Sequence, residues 1–376
     1  MMQFSIAAPM VGKAEARALA RAVLQNQISR GDSIAEFENN FAAFMGGGDA
    51  VSVITGTSAI EVALRALGLA GKEVVTGAMS CLATANALLS TGCRIRFADH
   101  DRQSWQVSLD SVARAITPET RALVIAHLYG STPDVPALAD LARRHSIPLI
   151  EDCSQCLGAL WDGQMVGTFG TASTFSFYGN KLITTGEGGM VWFADSSAGA
   201  QARMIRSYGQ DKPFHHVVFG LNWKMPNLLA AFGVEQLKRV PRLLAARRKR
   251  MKLLRRLLGN HPEILLPQLP AQLDPSPFCF PLLVPNRDSV AIQEQLARAG
   301  IETRPLFAPQ FDQPCWHDVA EMPPEEFPVA RYLGTHGFYL PVSPHLKLSD
   351  FPIIAKELLR AVEAPAAESV EVSACA

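Results

Sequence analysis

Between Ala50 and Asp152 the sequence alternates short apolar runs with helix-length amphipathic stretches, three times in succession. Ala50 to Ile54 is strand-length and apolar, and the polar turn Thr55-Gly56-Thr57-Ser58 follows it. Ala59 to Leu69 then sets Ile60, Ala63, Leu64 and Leu67 on one helical face. Glu73 to Thr76, a helix from about Ala83 to Ser90, and Arg94 to Ala98 repeat the pattern. Ala122 to Ala126, Val135 to His145 and Ile147 to Ile150 repeat it again, the last strand running into Glu151-Asp152. Parallel strands need a crossover, usually a helix. The alternation therefore predicts an α/β chain with a mainly parallel, doubly wound sheet.

The flanking segments read differently. Lys13 to Phe44 suggests one or two amphipathic helices, broken near Ser29-Arg30-Gly31-Asp32. Ala172 to Ala194 reads as strand, loop (Gly179 to Gly188) and strand (Met190 to Phe193). A long helical region runs from Asn227 through Leu258, and a proline-rich break covers Pro262 to Pro277. A smaller α/β unit follows: strand Phe280 to Val284, helix Val290 to Ala299, a strand near Glu302 to Leu306, and helix Pro352 to Val362. The expected division is a large domain over 1–245, a small C-terminal domain over 246–363 and a patternless tail over 364–376. A chain of 376 residues suits two domains.

Charge narrows the partners. Thirty-five basic residues balance 35 acidic ones, which excludes a polyanion binder or an acidic disordered chain as a whole-chain reading. No apolar run reaches the roughly 18 residues of a membrane span. The start, MMQFSIAAPM, lacks the basic end and long apolar stretch of a signal peptide, so a cytoplasmic protein is expected. Arg247 to Arg256 holds seven basic residues in ten. Met251, Leu254 and Leu258 give that stretch an apolar face, so a solvated helix is favoured over a nucleic-acid or membrane patch. Gly46-Gly47-Gly48 reads as a turn, not a dinucleotide fingerprint, and His215-His216 is weak as a metal site. The seven cysteines are odd in number and scattered. Cys153 and Cys156 have C-x-x-C spacing, but no second ligand cluster would complete a structural zinc site, so packing is the expected role.

The chemistry gathers around Lys181. It sits in a polar, glycine-rich loop between two apolar strands, Ser173-Thr-Phe-Ser-Phe-Tyr-Gly-Asn-Lys181-Leu-Ile-Thr-Thr-Gly-Glu-Gly-Gly-Met190. For an arbitrary lysine the default is a solvated loop residue. Three features argue otherwise. Asp152 follows a buried strand, where open α/β sheets bind ligands. Thr57 and Ser58 open a helix, a natural phosphate seat. Ser176 adds a hydroxyl five residues before the lysine. A phosphate seat, a carboxylate and a lysine are what pyridoxal 5′-phosphate (PLP) requires: an anchor, a partner for the protonated pyridine nitrogen, and an amine for the Schiff base.

Six ordered motifs between about Pro9 and Leu348 carry a resemblance. They are Thr55-Gly56-Thr57-Ser58-Ala59, Ala83-Thr84-Ala85-Asn86, Ala126-His127-Leu128-Tyr129-Gly130, Glu151-Asp152-Cys153-Ser154-Gln155, the run Phe175 to Met190, and Gly220-Leu221-Asn222-Trp223-Lys224-Met225. Together they resemble the DegT/StrS-type sugar aminotransferases, PLP enzymes of fold type I, nearest in look to the perosamine-synthase branch. The resemblance implies a large domain on a seven-stranded, mainly parallel sheet with a smaller α/β domain. Lys181 would carry the cofactor and shuttle the proton. Asp152 would hold the pyridinium and Gln155 the ring hydroxyl. Gly56, Thr57, Ser58 and Ser176 would bind phosphate, with Asn222 reaching in from the other subunit of a homodimer. Cys81 stands where the family often has an aromatic ring stacked on the cofactor, and Ser154 replaces a usual alanine. The dehydratase branch has histidine at position 181, so lysine there favours transamination.

The implied reaction moves an amino group from glutamate to a keto sugar, nucleotide-linked, as at C4 of a GDP-4-keto-6-deoxy sugar. An aminotransferase for a free keto-cyclitol or antibiotic precursor is the runner-up. A PLP-binding regulator without catalysis is the alternative from another class, and no DNA-binding domain is visible in the sequence to support it.

Overall fold

The computed structural model describes residues 2–317 and 326–364. The expected tail lies outside them apart from Ala364.

Seven strands build the central sheet: β1 (Asp49–Val53), β2 (Glu73–Gly77), β3 (Arg94–Ala98), β4 (Thr120–Ala126), β5 (Leu149–Asp152), β6 (Ala172–Ser176) and β7 (Gly189–Phe193). Their order is β1-β7-β6-β5-β4-β2-β3. Only β7 runs against its neighbours, pairing antiparallel with β1 and β6, so six strands share one direction. The predicted α/β class and mainly parallel sheet are therefore correct. Strands such as Ala122-Leu-Val-Ile125 are apolar on both faces because helices cover both faces. Val75, Leu123, Ile125 and Leu138 form one layer, and Ile60, Leu64, Val74 and Val124 form another.

The crossover helices begin where local chemistry dictates. Helices α1 (Lys13–Leu24) and α2 (Ser33–Phe44) precede the sheet, and α3 (Gly56–Ala66) follows β1. The Thr55 hydroxyl accepts the Ser58 N–H at 3.0 Å, and the Ser58 hydroxyl accepts the Thr55 N–H at 3.0 Å, a reciprocal cap that fixes the start of α3. Helices α4 (Leu82–Ser90), α5 (Leu109–Ala115), α6 (Val135–Arg144) and α7 (Ser196–Ile205) complete the layers. Asp134 caps α6, and Pro136 in its first turn needs no N–H partner.

The helical region expected from Asn227 to Leu258 is two helices, α8 (Asn227–Leu237) and α9 (Val240–Leu258). Pro241 in the first turn of α9 has no N–H to continue the helix before it, so the chain turns at Lys238-Arg239. Val240 and Leu243 of α9 pack with Phe37, Phe41 and Phe177, whereas Leu254 and Leu258 pack with Phe280, Leu282 and Phe338. Position 245 thus lies inside a helix that reaches both cores. The C-terminal unit carries a three-stranded antiparallel sheet of β8 (Phe280–Leu283), β10 (Gly337–Leu340) and β9 (Arg304–Pro305), in that order. Its helix Pro328–His336 and strand β10 were not anticipated.

Candidate active site

All the parallel strands deliver their carboxyl ends to one side of the sheet, and a cavity of about 500 Å³ lies there. Thr55, Gly56 and Thr57 reach it from the end of β1. Cys81 follows β2, Asp152 ends β5, Ser176 ends β6, and Lys181 lies in the loop between β6 and β7. Phe278, Arg304 and Tyr339 close it from the C-terminal unit. Of the nine residues expected at a cofactor, Gly56, Thr57, Cys81, Asp152, Gln155, Ser176 and Lys181 line this one cavity. Ser58 and Asn222 do not. Ser58 is buried, and its hydroxyl donates to the Thr55 carbonyl at 2.8 Å, shaping the helix start from behind. Asn222 is exposed, in a bridge to Ser207.

The anion seat follows from packing. Gly56 approaches Ser176 so closely that a Cβ on it would stand 2.7 Å from the Ser176 Cβ. Only glycine lets the start of α3 sit against the end of β6. The N–H groups of Gly56 and Thr57, in the first turn, have no intrahelical acceptor and carry the positive end of the helix dipole.

Asp152 is the last residue of β5, which runs two residues past the expected strand end at Ile150. Its buried carboxylate accepts from the Thr84 hydroxyl at 3.1 Å, the Ser154 N–H at 3.1 Å and the Thr174 hydroxyl at 3.5 Å. The contact of Thr84 with Asp152 is one that sequence reasoning did not anticipate. Gln155 is oriented by Tyr129, whose N–H donates to the Gln155 carbonyl oxygen at 2.7 Å and so leaves the amide NH₂ as the free end. Glu151 points to the other side of the strand. It accepts from the N–H groups of Gly167, Phe169 and Gly170 and from His127 Nε2 at 2.8 to 3.0 Å, and pins the following turn.

Lys181 Nζ lies 5.1 Å from the centre of the Phe278 ring. Burial holds its ammonium below the usual lysine range. Cys81 and Asp152 oppose that shift, and Arg247 adds to it. A lysine that loses its proton more easily is a better nucleophile.

An anion seat, a buried carboxylate and an activated amine in one cavity fit a phosphate-bearing pyridine aldehyde. The buried Oδ1 of Asn180, next to Lys181, has no hydrogen-bond partner among the described residues.

The sequence profile of the DegT/DnrJ/EryC1/StrS aminotransferase family matches residues 9–359. The chain belongs to that family. It is an aminotransferase dependent on PLP, and the reading as a regulator without catalysis is set aside. Among its relatives, the GDP-perosamine synthase of Escherichia coli O157:H7 is 34% identical over 326 residues, covering 85% of this chain and 87% of that one. A dTDP-4-dehydro-2,3,6-trideoxy-D-glucose 4-aminotransferase of Saccharopolyspora spinosa is 32% identical, covering 94% and 96%. The crystal structure of 3-amino-5-hydroxybenzoic acid synthase superposes with a TM-score of 0.91 at 28% identity, covering 96% of this chain and 98% of that one. The fold is thus that of the PLP-dependent aminotransferases, and the enzyme is of the sugar-aminating kind.

Three other sequence features find their places. His127 lies beside Cys153 and Cys156, with one ligand atom of each within 4.8 Å of the others, so a third potential ligand exists in space that spacing did not reveal. No fourth joins them among the described residues. Burial pushes both thiols up, away from the thiolate a metal needs. His215 and His216 sit on an exposed two-stranded ribbon, Gln210–Lys212 with His215–His216. The basic run of α9 is not a uniformly solvated face. Lys249, Lys252 and Arg256 are exposed. Arg247, Arg248, Arg250 and Arg255 turn inward to main-chain carbonyls, which five-donor guanidinium groups can satisfy. No helix among the described residues is long and apolar enough to cross a membrane.

Proposed function

We propose that the protein transfers the amino group of glutamate to a nucleotide-linked keto sugar, at C4 of a GDP-4-keto-6-deoxy sugar. Support comes from the convergence of Lys181, Asp152 and the α3 terminus on one cavity in a chain 34% identical to GDP-perosamine synthases of three bacteria. Gly56 and Thr57 N–H groups, with the Thr57 and Ser176 hydroxyls, would bind the cofactor phosphate, and Ser58 would hold that turn in shape. Asp152, fixed by Thr84 and Ser154, would accept the pyridine N–H. The free amide end of Gln155 would donate to the ring hydroxyl, and Cys81 would lie against the ring. When bound, the cofactor supplies a carbonyl that carries the amino group and a ring that takes up an electron pair. Lys181 would form the covalent link, and its freed Nζ would then take the proton from the donor α-carbon and deliver it to the aldehyde carbon of the cofactor, C4′. Phe278 would keep water from that amine.

The site is proposed to be completed in a homodimer, with Asn222 of one subunit reaching the phosphate of the other. Phe214 (94% exposed) and Phe219 (68% exposed), beside Val217 and Leu221, form an apolar segment leading to Asn222. Monomers seldom leave such a segment in water. Six free cysteines among the described residues suit a reducing compartment, and we place the enzyme in the cytoplasm.

The test is a half-reaction screen. Protein converted to its amine form by glutamate is given GDP-, dTDP- and UDP-linked keto sugars and, separately, a keto-cyclitol. Amination of the GDP-4-keto-6-deoxy sugar above all others supports the proposal. Preference for the cyclitol would favour the antibiotic-precursor reading, consistent with the likeness to 3-amino-5-hydroxybenzoic acid synthase.

A further inference from the structure

Arg247 is 4% exposed, and no carboxylate lies within 4.0 Å of it among the described residues. Its guanidinium donates only to main-chain carbonyls: Pro277 at 3.2 Å, Phe278 at 3.3 Å and Lys181 at 3.4 Å. Its Nε has no partner there. An unpaired buried cation is costly, and packing alone would be served as well by an apolar side chain. The three carbonyls it joins are telling. One belongs to Lys181, one to Phe278, whose ring faces the Lys181 amine at 5.1 Å, and one to the residue before it. A single side chain from α9 thus ties the lysine loop of the large sheet to the strand entering the small sheet.

We propose that Arg247 is a positioning residue for Lys181: it clamps the lysine backbone to the Pro277-Phe278 main chain and so holds the amine against the Phe278 ring. Its fixed positive charge also disfavours the ammonium. This deepens the reading of Lys181 as the cofactor-bearing lysine and rests on it. The charged and titratable groups facing Lys181 are Cys81 from the start of α4, Asp152 from the end of β5, Cys279 beside β8 and Arg247 from α9. Asp152 and the two thiols favour the ammonium. Burial and Arg247 favour the free amine. Arg247 itself stays charged, although burial lowers its pKa to about 10.

The measurement uses the full-length, cofactor-free protein. Lysines are reductively ¹³C-methylated, and the Lys181 signal, identified by its loss in Lys181→Arg, is titrated by NMR. In the wild type Lys181 should titrate below the other lysines. Arg247→Met and Arg247→Gln should raise its midpoint above the wild-type one, leaving less neutral amine at a given pH. Arg247→Lys should restore it by keeping the charge. A wild-type Lys181 that titrates with the surface lysines overturns the proposal without any variant. So does an unmoved midpoint in a folded Met or Gln variant. If the aminotransferase reading failed instead, neither PLP nor keto sugars would be used, while the Lys181 titration would still respond to Arg247.

Discussion

Asp152 shows how one side chain can be committed before any ligand arrives. Three donors hold its carboxylate in a buried position at the edge of the cavity, so it can meet a pyridine N–H without reorganising. Asp152→Asn keeps the shape and removes the charge. Amino transfer should fall by about 10²-fold or more, with circular dichroism unchanged; single-turnover absorbance with glutamate measures the loss. His100 makes a different kind of residue-scale prediction. Its Nε2 accepts the Met79 N–H at 3.0 Å and its Nδ1 donates to the Trp105 carbonyl at 3.1 Å, which holds the chain just before Ser80 and Cys81. Burial lowers its pKa from 6.5 to about 4. The unfolded chain therefore binds more protons in that window. The contribution of a neutral His100 is complete above pH 6.5 and is lost as pH falls toward 4, up to about 3 kcal/mol. Urea melts across this range should show the decline, and His100→Gln should flatten it. The meeting of Lys181, Asp152 and Gln155 in one cavity was legible because each sits in a short motif. The contacts of Thr84, Arg247 and Phe278 with them were not, because they join distant segments.

At the scale of elements, the turn from β1 into α3 carries the proposed anion seat, and its shape depends on an absent side chain. Gly56→Ala would push a methyl into the Ser176 Cβ at 2.7 Å. Such overpacking costs about 1–3 kcal/mol and should move the helix start away from Ser176. PLP titration by fluorescence should give a Kd raised about tenfold or more, with a lowered Tm; wild-type affinity would remove this turn from the site. The strand–helix alternation made β1 to β5 and α3, α4 and α6 readable, because buried parallel strands and amphipathic helices each leave a period in the sequence; the seven-residue α5 was not read. The break between α8 and α9 was missed because both helices are apolar on one face and only Pro241 marks the change. Strand β10 was missed because Gly337 to Leu340 is four residues long and gains its meaning only from pairing with β8 and β9.

At the scale of the whole molecule, zero net charge is compatible with the proposed phosphate site. The attraction would come from the α3 terminus, the hydroxyls around it and Lys181, all local, so phosphate-bearing ligands would need no basic surface. The exposed Phe214–Leu221 segment is where assembly should be tested. Phe219→Asp should convert a dimer to monomers in size-exclusion chromatography with light scattering and cut PLP affinity, because Asn222 would no longer reach the neighbouring site. A monomeric wild type would contradict this part of the account. Oligomeric state left no trace in composition; only the Asn222 motif pointed to it.

The central claim is that Lys181 carries the cofactor and releases it to an amino donor. Borohydride reduction of the PLP-loaded protein, followed by peptide mass mapping, tests it directly. The account predicts one cofactor per chain, on the peptide containing Lys181, and its disappearance when glutamate is added before reduction. Cofactor fixed to another lysine, or a Lys181 adduct that glutamate does not remove, would contradict it.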